Sequence, residues 1–240
     1  MESNRMIGKI NHFAEKVMRI AQFQLLWIVF SICGGVVLGM MPATIGLFTV
    51  MRKWLQGNED NQSYVRIYWA TFRKEFWKAN IIGFILTIIG FMIYMNFTLI
   101  RFTHGIAYWF LLIFVFMMTI LFVILLFYIF PVYVHFENKF NKYFSISILI
   151  GISSPFHTML MIIGFSLVYL LLLWVPGFIP FLSIGLFSLI SMYIAMKAFT
   201  SMEGKKEHAS EENKSLMKGG FHNGFKPAAN KNTRVETLNR

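Results

Sequence analysis

Acidic residues are scarce in this sequence, and their absence is concentrated in two long stretches. The 240-residue chain has 11 Asp and Glu residues, and none falls between Glu75 and Glu137 or between Glu137 and Glu203. Only 14% of the residues are charged, whereas an average soluble domain has roughly 25%. Proton relays and metal sites inside membranes are built mostly from carboxylates and histidine clusters. The sequence therefore predicts neither a proton relay nor a metal site in the membrane.

Cysteine is limited to Cys33, which lies in an apolar run and can form no intramolecular disulfide. The sequence also contains no Walker A loop, no Gly-x-Ser-x-Gly elbow and no His-Glu-x-x-His motif. Ser153 and Ser154 are candidate nucleophiles, but no base is placed for them. We instead expect Ser154 to cap a helix that begins at Pro155. The sequence therefore predicts no enzymatic activity and no cofactor.

Apolar residues dominate what is present. Hydrophobic residues make up 57% of the chain, 27 residues are Phe, and the mean hydropathy is +0.60. A net charge of +11 can indicate nucleic-acid binding, but here the cations stand at the ends of apolar runs, where they face lipid phosphate. We therefore predict an all-α, polytopic bundle of membrane helices, surrounded by lipid and not bound to nucleic acid.

The helical membrane domain is predicted over residues 23–200, with about five membrane segments. Each segment is an apolar run that can approach or cross the bilayer at a rise of about 1.5 Å per residue. The runs are 23–51, 80–100, 105–130, 144–174 and 178–199. We expect Pro131 to stop the third run and Pro155 to interrupt the fourth, because proline breaks the helical hydrogen-bond pattern.

The first segment is the least regular, since Gly39 and Pro42 lie in its middle. Proline in the first turn of a helix loses no hydrogen bond, and glycine permits the turn before it. The segment is therefore predicted to break at Gly39–Pro42 into two short helices, which form a shallow hairpin with both ends in the cytoplasm. The alternative is a single kinked span with the N-terminus outside.

Two amphipathic segments and a polar tail flank these runs. Residues 1–22 have apolar residues at spacings of three and four, which predicts an amphipathic interfacial helix. Segment 52–79 has one aromatic face and cations mostly on the other, and we predict that it lies on the cytoplasmic leaflet. Docking on a cytoplasmic partner is the alternative. Residues 201–240 are polar without an apolar period, which predicts a disordered cytoplasmic tail.

Small and aromatic residues are the candidates for a packing or partner surface. Small residues let helices approach closely in a membrane, and aromatic side chains on a cytoplasmic helix can contact a partner. The candidate residues are Gly34, Gly35, Gly39, Pro42, Trp69, Phe72 and Phe76.

Three stretches carry a resemblance to a known family. Residues 25–57 are LLWIVFSICGGVVLGMMPATIGLFTVMRKWLQG, residues 68–80 are YWATFRKEFWKAN, and residues 152–161 are ISSPFHTMLM. They contain, in order, a Leu-Trp start, a Gly-x-x-Pro-Ala bend, an Arg-Lys pair, a Phe-x-x-x-Phe segment and a later proline-containing segment. This pattern resembles the YesL-type bacterial membrane family, known as domain of unknown function 624.

The resemblance implies a multi-pass protein of the bacterial cell membrane, from a family often encoded beside sugar ABC importers and glycoside hydrolases. It implies no catalytic or binding residues, because none is established for the family. The function expected from it is an accessory role in the uptake or utilisation of oligosaccharides, with sugar ABC transporter subunits as partners. The alternative is a small-molecule transporter or permease-like subunit in its own right.

Lysine and arginine are distributed unevenly, and this predicts the topology. They are concentrated in segments 52–79 and 201–240, whereas loop 101–104 contains one and loop 174–180 contains none. Cytoplasmic loops have the excess of these residues. We therefore predict that the two basic segments lie in the cytoplasm and that the two poor loops lie outside.

Thiol labelling of single cysteines tests this topology. In a Cys33→Ala background, an impermeant reagent applied to intact cells should label Gly177→Cys and leave Ala70→Cys unlabelled. Labelling of Ala70→Cys without Gly177→Cys would show that the topology is inverted. The same experiment with Asn4→Cys separates the hairpin, which protects this position, from the kinked span, which exposes it.

Overall fold

Residues 2–57 and 63–223 are described by the computed structural model, and they form seven α-helices and one short 3-10 turn without any strand. The helices are α1 (Glu2–Cys33), α2 (Val37–Leu55), α3 (Tyr64–Ile100), α4 (Ile106–His135), α5 (Phe140–Ser153), α6 (Pro155–Trp174) and α7 (Ile179–Asn223), and the 3-10 turn is Pro176–Phe178. The all-α prediction is confirmed. Helical residues up to Phe199 belong to one compact unit, and those from Thr200 onward belong to a second.

Five helical stretches within the described residues are long and apolar enough to cross a membrane, which agrees with the predicted number of segments. They are Ala14–Cys33, Tyr64–Ile100, Ile106–His135, Pro155–Trp174 and Pro176–Gly204. Many of their large apolar side chains are exposed, as expected for helices that face lipid. The chain is therefore a multi-pass integral membrane protein.

A tight turn separates α1 from α2. Gly35 N–H donates to the carbonyl oxygen of Ile32 at 3.0 Å, and Val36 N–H donates to that of Ser31 at 2.9 Å. Together these bonds form a Schellman motif, which needs a residue in the left-handed conformation. Gly35 supplies it with a φ of 83°. Glycine adopts this conformation without the steric cost of a Cβ, so the turn after α1 forms at Gly35.

The predicted position of this break, Gly39–Pro42, was wrong. Gly39 lies in the first turn of α2, and Pro42 lies inside that helix. Proline removes only the hydrogen bond that its own N–H would donate to Leu38. The helix tolerates this single loss, whereas the left-handed Gly35 ends α1 four residues earlier than Gly39. The chain therefore breaks where the backbone enters the left-handed region.

Helices α1 and α2 are antiparallel and form a hairpin. Trp27 Nε1 donates to Thr44 Oγ1 at 3.1 Å in the middle of the pair, and the rings of Phe23 and Trp54 lie 6.0 Å apart nearer its open end. The structure therefore has a hairpin and not the single kinked span, and its first arm, at 32 residues, is longer than the short helix that was predicted. The cytoplasmic location of both ends of the hairpin stays a prediction. The interfacial helix predicted over 1–22 is continuous with the first arm of this hairpin from Glu2 onward.

Helix α3 is uninterrupted from Tyr64 to Ile100, so the amphipathic part of segment 52–79 and the span 80–100 are one helix. No glycine or proline separates the two patterns before Gly83, and the helix continues through that glycine. The buried residues of α3 are Tyr68, Phe72, Ala79, Ile82, Gly83 and Leu86. Tyr68 and Phe72 belong to the aromatic face of the amphipathic part, so protein covers part of the face that was predicted to lie on lipid.

Helix α4 continues through Pro131 to His135, so the prediction that Pro131 ends it was wrong. A proline at this position leaves the carbonyl oxygen of Phe127, four residues earlier, without its helical donor. The hydroxyl of Ser191 on α7 donates to this oxygen at 2.9 Å. Serine side chains commonly satisfy backbone groups that proline frees in membrane helices.

The predicted break at Pro155 is present, since α5 ends at Ser153 and α6 begins at Pro155. Ser154 occupies the N-cap position, but its side chain makes no capping hydrogen bond, so that part of the prediction was wrong. The carbonyl oxygen of Ser154 instead accepts the N–H groups of His157 at 3.1 Å and Thr158 at 3.2 Å. Backbone groups therefore close the first turn of α6.

Helix α7 extends to Asn223, past the start of the predicted disordered tail at residue 201. Residues 203–218 contain four Glu and four Lys residues. These residue types have high helix propensity and can continue a helix without an apolar face. The structure therefore differs from the prediction over 201–223, and residues 224–240 lie outside the described part of the chain.

Replacement of Ser191 tests whether its hydroxyl stabilises α4 by donating to the carbonyl oxygen of Phe127. Ser191→Ala should lower the free energy of unfolding by about 1 kcal/mol, because Phe127 then keeps an unsatisfied carbonyl. In a Pro131→Ala background the new N–H can donate to the carbonyl oxygen of Phe127. Ser191→Ala should then lower the free energy of unfolding by less than half as much. Thermal unfolding in detergent measures both effects, and equal costs in the two backgrounds would contradict this account.

Candidate functional site

Two of the predicted surface glycines lie at the contact between α1 and α2. A Cβ added to Gly39 would overlap the carbonyl oxygen of Ser31, and a Cβ added to Gly34 would overlap the Cα of Gly39. The two helix backbones can therefore touch only because neither position has a side chain. Gly35 lies in the turn, where it ends α1, and Pro42 is buried in α2. Gly34, Gly39 and Pro42 therefore contribute to packing within the chain, whereas Gly35 is exposed and serves the turn.

The aromatic candidates lie on α3 against this hairpin. Phe30 of α1 stacks on Tyr68 with ring centroids 4.7 Å apart and lies 5.4 Å from Phe72. Phe72 is buried, and Phe76 packs against it in an edge-to-face contact at 5.6 Å. Trp69 stacks on Phe72 but keeps 45% of its surface exposed. Of the three aromatic candidates, Trp69 is the one with a large exposed surface for a partner.

A polar groove, here called the basic groove, opens where α2, α3, α4 and the start of α5 meet. Its volume is about 1030 Å³. Six cationic and two acidic side chains line it: Arg52, Lys53, Lys74, Lys78, Lys139, Lys142, Glu75 and Glu137. These residues come from segment 52–79, from the loop before α5 and from the first turn of α5. Because both regions are predicted to face the cytoplasm, the groove is predicted to open on that side.

Arg52 connects the hairpin to α4. Its Nη1 donates to the carbonyl oxygen of Val134 at 2.6 Å, and its Nε is buried with no hydrogen-bond partner among the described residues. Burial lowers the pKa of Arg52, and the carboxylate of Glu137 raises that pKa in opposition. A guanidinium stays protonated in proteins even so. The basic groove therefore contains a permanent positive charge that is partly removed from water.

Glu75 is held on two sides within the groove. The hydroxyl of Tyr133 donates to its Oε2 at 2.6 Å, and Lys78 Nζ lies 3.8 Å from the same oxygen. The Glu75 side chain is 15% exposed, whereas that of Lys78 is 61% exposed. The ring of Tyr133 packs against Tyr143 at 4.7 Å, and the hydroxyl of Tyr143 accepts the N–H of Asn138 at 3.1 Å. These contacts join α3, α4 and α5 around one carboxylate.

The sequence prediction missed this groove, because it used the cations only to assign topology. Residues 52–78 and 137–142 are far apart in sequence, and no local pattern brings them together. One signal was available. Glu75 and Glu137 are the acidic residues that border a long acid-free stretch, and both of them line the groove.

Known proteins resemble this chain over most of its length. Residues 20–97 match the family described as "Protein of unknown function, DUF624", a range that covers the second part of α1, all of α2 and nearly all of α3. Three similar proteins of Bacillus subtilis (strain 168) are each described as uncharacterized. YteU is 36% identical over 224 residues, which are 92% of this chain and 98% of YteU. No solved structure matches the chain.

The other two relatives give nearly the same coverage. YesL is 36% identical over 199 residues, which are 82% of this chain and 93% of YesL. YesV is 32% identical over 195 residues, which are 81% of this chain and 93% of YesV. The likeness to the three relatives therefore extends well beyond the 20–97 region that matches the family profile.

Proposed function

The chain belongs to the DUF624 family, and on this premise we propose that it is an accessory membrane protein for the uptake or utilisation of oligosaccharides. The resemblance drawn from its sequence stretches is confirmed. Its implied neighbourhood of sugar ABC importers and glycoside hydrolases supports the proposal, and it makes importer subunits the expected partners. In this role the protein assists a transporter and does not itself carry the sugar across the membrane.

One observation supports an accessory role over a role as the sugar carrier. A crevice between α3 and α4, here called the apolar crevice, has a volume of about 270 Å³ and is lined by apolar side chains apart from Asn96. The amide of Asn96 already donates to the carbonyl oxygen of Met92 at 2.8 Å. A sugar hydroxyl that leaves water without a new hydrogen bond costs roughly 1–3 kcal/mol. The crevice is therefore better suited to apolar groups than to a saccharide.

The apolar crevice also offers a surface to another membrane helix. Phe114 and Met118 line it from α4 and are 51% and 41% exposed, and Met92 lines it from α3 and is 59% exposed. Methionine side chains are flexible and adapt to different partners. Helix association in a membrane depends on close van der Waals packing of this kind. These features support contact with a transporter subunit at the crevice.

Growth of a deletion strain tests the proposed function. Removal of the gene should slow growth on one or more oligosaccharides as the carbon source and leave growth on glucose unchanged. In-cell crosslinking with mass spectrometry should find the wild-type protein joined to an ABC importer subunit. Unchanged growth on every oligosaccharide, with no importer subunit crosslinked, would overturn the proposal.

A pair of matched variants tests the surface. Phe114→Ala with Met118→Ala should insert into the membrane but fail to restore growth or crosslinking, because the crevice loses its packing surface. The control is Leu170→Ala with Leu173→Ala, which removes similarly exposed apolar groups from α6 and should restore both. If both variants restore growth and crosslinking, the contact with the importer subunit lies outside the apolar crevice. Uptake of labelled oligosaccharide by vesicles containing only this protein would favour the permease alternative.

A further inference from the structure

The basic groove brings together cations from separate parts of the fold. Arg52 lies near the end of α2, Lys74 lies on α3, and Lys139 and Lys142 lie at the start of α5. Like charges held at one site repel each other, and the repulsion increases where water is displaced. Bound anions relieve this repulsion. The clustering around a concave surface therefore indicates a negatively charged ligand.

The start of α5 strengthens the preference for an anion. The helix has 14 residues, and Lys139 at its N-cap makes no side-chain capping hydrogen bond. The first turn of a helix carries a partial positive charge and backbone N–H groups that bind oxyanions. Asn138, Lys139 and Lys142 all line the groove, so the start of α5 lies at its wall. This partial charge adds to that of the cationic side chains.

The two acidic residues do not cancel the cations. Glu75 accepts a hydrogen bond from the hydroxyl of Tyr133 and forms an ion pair with Lys78. The negative charge of Glu137 interacts with Arg52 and raises its pKa. Lys74, Lys139 and Lys142 are exposed on the groove wall. A ligand with several negatively charged oxygens can contact more than one of these cations at once. Arginine and lysine both bind phosphate, with arginine as a planar fork and lysine as a point charge.

We propose that the basic groove binds a phosphate group, presented by an anionic lipid headgroup or by a soluble phosphate ester. A volume of about 1030 Å³ is comparable with the larger small-molecule sites, which reach about 1,000 Å³. Arg52 is the anchor, since its contact with Val134 fixes the guanidinium at the wall and its Nε is buried there. Lys74 and Lys142 bind the phosphate oxygens from α3 and α5. This inference is independent of the proposed role in oligosaccharide uptake.

Two binding measurements on the purified full chain distinguish the sources. In the first, protein in phosphatidylcholine nanodiscs is titrated with inorganic phosphate by calorimetry. In the second, protein is mixed with phosphatidic acid and phosphatidylcholine, and the retained lipid is identified by native mass spectrometry. Saturable binding of inorganic phosphate indicates a soluble ligand, whereas selective retention of phosphatidic acid indicates a lipid headgroup. Either result supports the proposed phosphate chemistry.

Matched charge removals locate the site. Lys74→Gln with Lys142→Gln should weaken binding about tenfold or more, because two charge-assisted contacts to phosphate are lost. Both side chains are exposed, so these substitutions leave the packed core intact. The control, Arg66→Gln with Arg73→Gln, removes the same charge from α3 outside the groove lining and should leave binding within about twofold.

Three results would overturn the proposal. One is the absence of binding to both phosphate probes. Another is an equal loss of binding in the groove variant and the control variant, which would indicate general surface charge. The last is binding of an acidic peptide such as polyglutamate without either phosphate probe, which would make the groove a protein-docking surface.

Discussion

The backbone contact between α1 and α2 at Gly39 determines how the neighbouring elements pack. Because a Cβ at Gly39 would overlap the carbonyl oxygen of Ser31, the helices reach this separation only with glycine there. Their closeness lets Phe30 from α1 and Ala43 from α2 contribute to one surface. Tyr68 of α3 is buried on that surface, stacked on Phe30, with its hydroxyl donating to the carbonyl oxygen of Ala43. The hairpin and the first half of α3 therefore form one packed body.

This packed body positions the charged end of the protein. α2 places Arg52 beside α4, where the guanidinium donates to the carbonyl oxygen of Val134. α3 places Glu75 beside Tyr133 of α4, whose hydroxyl donates to the carboxylate. The second half of α3 has no buried residue beyond Leu86 and lines the apolar crevice with α4. Polar chemistry is thus concentrated at one end of α3, and apolar surface lies along the other. The two proposals use these two surfaces separately.

Local sequence patterns predicted the helices well and their tertiary relations poorly. Pro155 indicated a helix start because proline fits the first turn, and α6 begins there. Pro42 and Pro131 were misjudged because each removes one hydrogen bond, and tertiary contacts decide whether the helix survives. At Pro131 that contact is Ser191, 60 residues later in the sequence. The basic groove was missed for the same reason, since its charges meet only after α2, α3 and α5 have packed.

The distance between Lys16 and Gln56 tests the hairpin most directly, since both residues are exposed and lie near its open end. Spin labels on Lys16→Cys and Gln56→Cys, in a Cys33→Ala background, can be measured by double electron–electron resonance in nanodiscs. The antiparallel hairpin predicts a distance below about 25 Å. A single continuous span would separate the same positions by up to about 60 Å, at roughly 1.5 Å per residue. A narrow distribution centred above about 45 Å would contradict the hairpin.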